Sequence, residues 1–317
     1  MNSKQVANRF LSALALSAAC STLGATQLEH PVDLTGTWYA PTLTGQGMQF
    51  DVWENADGTA SIFGGWFTFS LVGVPFNTTY PLWYSMQAPA QAISFGNDFL
   101  LSVFYTPGGV FAAPSAVQTL PAGRAIVRFT DCSHAYFYYD VKADTLNTPG
   151  LEYDDSGSVN LVRLTGDAGC DNPVANTRSA RGFSGTWYDP SASGQGMILD
   201  VSDASGGFLF GGWFTFGVPS YSSQAWYTLQ GPFALSTTEA DVPIYIPKTE
   251  RFMSTLPPPF GGEPSMRQVG NAHIKFTSCV DAQLDYSGNF GTETEQAGSI
   301  SLKRLTPVAA DCPLQTP

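Results

Sequence analysis

The chain has 317 residues, 43% of them hydrophobic and 13% aromatic, and only 13% charged. Its formal net charge is −12, from 14 basic and 26 acidic residues. The apolar content excludes a disordered tail, and an acidic surface poor in Lys and Arg argues against nucleic acid and anionic membrane as partners.

The first 25 residues read as a signal peptide. Lys4 and Arg9 supply a positive start, and "FLSALALSAA" is an apolar run too short to span a membrane as a mature helix. Loss of those two cations takes the net charge from −12 to about −14. The expected location is therefore periplasmic or extracellular, in a bacterial host. "LSAAC" resembles a lipid-attachment box with its Leu one place early, which leaves an outer-membrane lipoprotein anchored at Cys20 as the alternative.

After the signal the chain says everything twice. "TGTWYAPTLTGQGM" at 35–48 returns as "SGTWYDPSASGQGM" at 184–197, and "FGGWFTF" at 63–69 returns at 210–216. "LWYSMQ", "RFTDC" and "GSVNLVRL" are answered by "AWYTLQ", "KFTSC" and "GSISLKRL". Two units of this length can each close a core, so the division expected is a β-barrel repeat over 31–170, a linker over 171–182 and a second repeat over 183–312.

Helical periodicity is almost absent, and short alternating runs bounded by Gly, Pro, Asn and Ser recur. In the first repeat they predict strands near 35–40, 46–54, 60–69, 81–88, 99–106, 123–131, 134–141 and 157–164. The fold class is all-β: two tandem antiparallel up-and-down barrels of about eight strands or, failing that, β-sandwiches. The long segments 106–122 and 247–267 read as loops.

Alternation assigns faces. Met48, Phe50 and Val52 share a side, as do Phe67 and Phe69, Tyr84 and Met86, and Ala125, Val127 and Phe129. Their counterparts in the second repeat do the same, and this apolar face reads as core. The opposite face carries Asp51 and Asp200, Trp66 and Thr68 with Trp213 and Thr215, Trp83 and Gln87 with Trp226 and Gln230, and the cations Arg128 and Lys275. Tryptophans on a solvent side mark either one domain packing on the other, loop cover, or a platform for sugar rings. These outward residues, with Gln46 and Gln195 of the two "GQG" turns, are the ligand-binding candidates; the glutamines read equally as ties between a turn and a neighbouring strand.

The last strand breaks the pattern. Arg163 follows Val159 and Leu161 at spacing two and so points inward, and Arg304 follows Ile300 and Leu302 likewise. A buried arginine needs a partner, and Trp38 and Trp187 on the first strands supply aromatic faces. A Gly-x-Trp on the first strand with an inward Arg on the last resembles the calycin superfamily of barrels, and "GTWY" looks like the start of an avidin-type chain. That resemblance implies that Trp38 with Arg163, and Trp187 with Arg304, plug the barrel floors. It also implies a ligand-contacting polar residue just after the motif, where this chain has Ala40 and Asp189, so biotin binding does not carry over.

Four cysteines remain after the signal, two per repeat in matching positions, and export predicts the disulfides Cys132–Cys170 and Cys279–Cys312. A metal site lacks ligands, since none of His30, His134 and His273 is duplicated in register. Only Asp51/Asp200 repeats among carboxylates, so the paired acids of a glycosidase are missing, and no histidine repeats for a Ser-His-Asp system. No catalytic residue and no cofactor is assigned. The reading is an exported, non-enzymatic binding module whose barrels hold a small apolar or amphipathic ligand. The alternative is a carbohydrate-binding or protein-interaction module of the cell envelope using the tryptophan face; a secreted enzyme is the third.

Overall fold

The computed structural model describes residues 31–43, 45–69, 81–142, 154–165, 179–202, 206–217, 224–247, 266–291 and 294–314. The expected signal peptide, Cys20, His30, Cys170, most of the linker and most of the second long loop lie outside the described residues.

Among the described residues sixteen strands run in chain order. The first eight are β1 (Gly36–Tyr39), β2 (Gly47–Glu54), β3 (Ala60–Phe69), β4 (Pro81–Gln91), β5 (Phe99–Tyr105), β6 (Leu120–Phe129), β7 (His134–Lys142) and β8 (Asp154–Arg163). The second eight are β9 (Gly185–Tyr188), β10 (Gly196–Ser202), β11 (Phe208–Phe216), β12 (Gln224–Pro232), β13 (Glu239–Pro247), β14 (Met266–Phe276), β15 (Asp281–Gly288) and β16 (Gln296–Arg304). Each set pairs antiparallel with its sequence neighbours and closes first strand on last, giving two up-and-down barrels. Closure is seen directly where Trp38 faces Arg163 and Trp187 faces Arg304 across the ladder. Barrels, not sandwiches, result, and closure removes every sheet edge. No described helix is long and apolar enough to cross a membrane.

The floors are built as the inward arginines predict. Arg163 is 7% exposed and its guanidinium carbon lies 5.6 Å from the Trp38 ring centroid; the Arg304–Trp187 distance is 5.4 Å. Arg163 Nη1 donates to the Asp33 carbonyl at 2.6 Å and Nη2 to that of Thr35, while Arg304 Nη1 donates to the Gly182 carbonyl at 3.0 Å and Nη2 to that of Ser184. Backbone carbonyls and an aromatic face thus replace much of the water around the buried Arg163 and the half-buried Arg304. Cys279 and Cys312 are bonded across a sequence separation of 33, which ties the turn after β14 to the tail of its barrel. Cys132 is buried at the matching turn.

The core requires one correction. Met48, Phe50, Val52, Tyr84, Met86, Val127 and Phe129 line the first interior as alternation predicts. On β3 and β11 the faces are reversed. Trp66 and Trp213 point into the barrels, while Phe67, Phe69 and Phe216 form a separate buried cluster with Trp83 and Trp226 between the barrels, against which Phe214 packs. Both faces of these strands are buried, so the polar half of the alternation is absent.

Candidate functional site

The outward residues predicted as ligand candidates mostly meet the other barrel. Trp83 and Trp226 are each 3% exposed and occupy reciprocal positions. Trp83 lies 5.4 Å from Phe214 and donates its Nε1–H to the Thr215 carbonyl at 2.8 Å. Trp226 lies 5.5 Å from Phe67 and donates to the Thr68 carbonyl at 2.8 Å. Of the alternatives for a tryptophan-bearing face, domain packing is the one realised. Small outward residues permit the close approach: a Cβ at Gly65 would stand 3.0 Å from Ile198 Cδ1, and one at Gly212 only 2.2 Å from Gln49 Oε1.

The duplicated carboxylates latch the same joint. Asp51 Oδ2 accepts from the Thr186 backbone N–H at 2.6 Å and from Thr306 Oγ1 at 2.5 Å. Asp200 Oδ2 accepts from the Thr37 N–H at 2.7 Å and from Thr165 Oγ1. Each carboxylate therefore holds the first strand of the opposite barrel, beside that barrel's floor arginine. A Cβ at Gly36 would lie 2.8 Å from Arg163 Nη2 and 3.1 Å from Asp200 Oδ2; at Gly185 the values are 2.7 Å from Arg304 and 3.1 Å from Asp51. The "GTW" motif is thus a glycine for the approach, a threonine N–H for the latch and a tryptophan for the plug. Burial pushes the Asp51 carboxyl above the usual range against the opposing pull of Thr306, the Arg304 charge and Thr186. The same burial lowers Arg304, with the Asp51 charge acting in the other direction.

The glutamines of the "GQG" turns are ties, and Gln195 is also a clamp. Gln46 Oε1 accepts from Thr68 Oγ1 at 2.6 Å, and Gln195 Oε1 from Thr215 Oγ1 at 2.5 Å. Thr68 and Thr215 are fully buried, so with Trp66 and Trp213 they are corrected from solvent to interior. Gln195 further reaches the β5–β6 loop of the first barrel: its Oε1 accepts from Ala112 N at 2.9 Å and its Nε2 donates to the Ala113 carbonyl at 3.1 Å. Gln87 is exposed and Gln230 half-buried.

That loop, residues 106–119, crosses to the mouth of the second barrel. Phe111 enters it and lies 5.0 Å from Phe290, 5.3 Å from Trp213, 5.9 Å from Tyr286 and 6.1 Å from Tyr227. The composition of 106–122 predicts a loop but does not single out Phe111, whose target lies on another repeat. Beneath the loop, Ala112, Asp189, Gln195, Met197 and Trp213 border a cavity of about 10 Å³, at the limit for one water. A second concavity, beside Trp83 and Phe214 at the joint, is of the same size.

Elsewhere, Arg181 pairs with Asp33 at 3.5 Å beside Asp311, whose carboxyl burial pushes up. His134 pairs with Asp131 and His273 with Asp241 on the barrel exteriors. Among the described residues no group of three or more His, Cys, Asp or Glu is placed to hold a metal. No protein-family model, no curated protein and no solved structure matches this chain.

Proposed function

We propose that the chain is an exported, non-enzymatic binding module in which two barrels act as one body and a small apolar or amphipathic ligand is held at the mouth of the second. The observation that carries this reading is Phe111, an apolar side chain from one barrel seated in the aromatic mouth of the other. Such a mouth combines rings with a polar rim of Asp189 and Gln195, the composition of a small-molecule site. The repeated carboxylates, which chemistry would require to be reachable, are instead held in the joint by backbone N–H and hydroxyl groups. Native mass spectrometry of protein taken from its own host tests the reading. Extra mass released on denaturation supports it and names the ligand; bare mature mass counts against it.

A second reading, a glycan- or protein-interaction module, rests on a different surface from the one the sequence suggested. Leu100, Ile126 and Tyr138 face one another across β5, β6 and β7, and Leu100 and Tyr138 are exposed. The matching row of the second barrel is Asp241, His273 and Asp285. Loss of glycan retention or partner capture in Tyr138→Ala, with unchanged folding, supports it; retention unchanged counts against it.

A further inference from the structure

We infer that Phe111 is a displaceable, built-in ligand of the second barrel: the tip of its loop, residues 110–116, forms a strap that lifts, and the vacated mouth takes a single flat aromatic ring. The inference rests on the binding reading above and supplies its ligand class and its control.

The described strands carry different numbers of interior rings in the two barrels. In the first, Phe50, Phe99 and Phe137 occupy positions on β2, β5 and β7. The same ladder positions of the second barrel hold Leu199, Ala240 and Leu284. Strand-borne aromatic volume is therefore smaller there. Rings from outside the strands join that interior, among them Phe290 on the turn after β15 and Phe111 on the strap. Phe290 is buried in its own barrel. Phe111 is half-buried and comes from the other one.

Three features make the strap separable from the barrel. It is a loop between strands, so lifting it breaks no ladder. Its two hydrogen bonds to Gln195 form a local clamp, while the feet of the loop stay anchored in the joint, where the Thr106 carbonyl accepts from Gln224 Nε2 at 3.1 Å and Val117 packs on the ring cluster. Ala112, beside Phe111, has φ of 43°, the one described non-glycine residue in the left-handed region, and this conformation favours release. Trp213, Tyr227, Tyr286 and Phe290 then remain as a box that already accommodates one six-membered ring edge-on and tilted. The phenyl group of Phe111 defines the chemistry of what replaces it.

The test is calorimetric titration of the full-length protein with p-cresol, comparing wild type with three variants. Apparent affinity scales with the fraction of molecules whose strap is lifted. Gln195→Ala removes the clamp and is expected to tighten binding about tenfold. Ala112→Gly relieves the left-handed alanine, holds the strap down and is expected to weaken binding about fivefold. Phe111→Ala removes the competitor and is expected to bind most tightly, at one equivalent. Binding by Phe111→Ala alone, with Gln195→Ala and Ala112→Gly indistinguishable from wild type, would show Phe111 to be fixed core and overturn the inference. So would absence of binding in all four proteins, with circular dichroism showing each folded. If Phe111→Ala does not fold, the opposed shifts of the other two variants decide the matter. Failure here combined with host-derived extra mass would leave the carrier reading standing without the strap.

Discussion

The floor of each barrel and its mouth obey different rules. At the floors the two copies are nearly superimposable in chemistry: Trp38 with Arg163 and Trp187 with Arg304, each beside a glycine and a carboxylate of the other barrel. At the mouth of the second barrel the first barrel's loop enters through Phe111; Phe260, at the matching place of the second repeat, lies outside the described residues. The duplicated residues of the floors and the joint mark what holds the barrels together. The repeated "GTW", Asp51/Asp200 and Trp83/Trp226 are architecture, and Phe111 with its clamp is where binding is to be sought.

The largest way to break the floor symmetry is to remove a joint ring. Trp83→Ala and Trp226→Ala should each cost about 3–5 kcal/mol in denaturant unfolding. Their reciprocal settings predict similar costs, and a marked inequality would show that the halves of the joint are not equivalent. Gly36→Ala and Gly185→Ala come next. Each drives a methyl against an arginine and a carboxylate that cannot both move away, at about 2–3 kcal/mol measured the same way.

A pH series sharpens the latch. The Asp51 carboxyl is raised above its ordinary value by burial, so the folded state holds this proton more tightly than the unfolded state does. Its stabilising contribution is complete below the ordinary value of 3.8 and is lost as pH rises through the higher folded value. The expected outcome is that melting temperature in Asp51→Asn lacks this decline, so the difference from wild type widens in favour of the variant as pH rises. The smallest effect concerns the pair at which the joint itself departs from symmetry. Gln49 donates to Thr37 Oγ1, yet its buried Oε1 has no partner among the described residues; its counterpart is Ile198. Gln49→Leu should be neutral or stabilising by up to about 1 kcal/mol, and Ile198→Gln destabilising by about 1–2 kcal/mol.

Much of this was legible in the sequence because barrel strands carry their pattern locally. The duplication, the eight strands per repeat, the inward arginines under Trp38 and Trp187, and the interior face of β2, β4 and β6 all follow from period-two spacing. The pattern fails on β3, where "FGGWFTF" offers bulky rings at both parities. A strand buried between a barrel interior and a neighbouring barrel loses the contrast that period two depends on. One signal was present: Gly65 and Gly212, the small outward partners of those rings, fit a surface against which another chain segment packs closely. The latch was invisible for a different reason. Asp51 reads correctly as outward, but its partners Thr186 and Thr306 lie in the other repeat, and spacing along one chain carries no information about a contact between two closed units. Phe111 was hidden in the same way, within a loop whose composition announced only that it was a loop.

The central claim is that the two barrels share a joint core and behave as one body, and differential scanning calorimetry of the intact chain tests it most directly. The account predicts a single transition in wild type, with calorimetric and van't Hoff enthalpies equal for the whole protein, and separation into two transitions when Trp83 and Trp226 are both replaced by alanine. Two resolved transitions in the wild-type protein, unmoved by those substitutions, would contradict it.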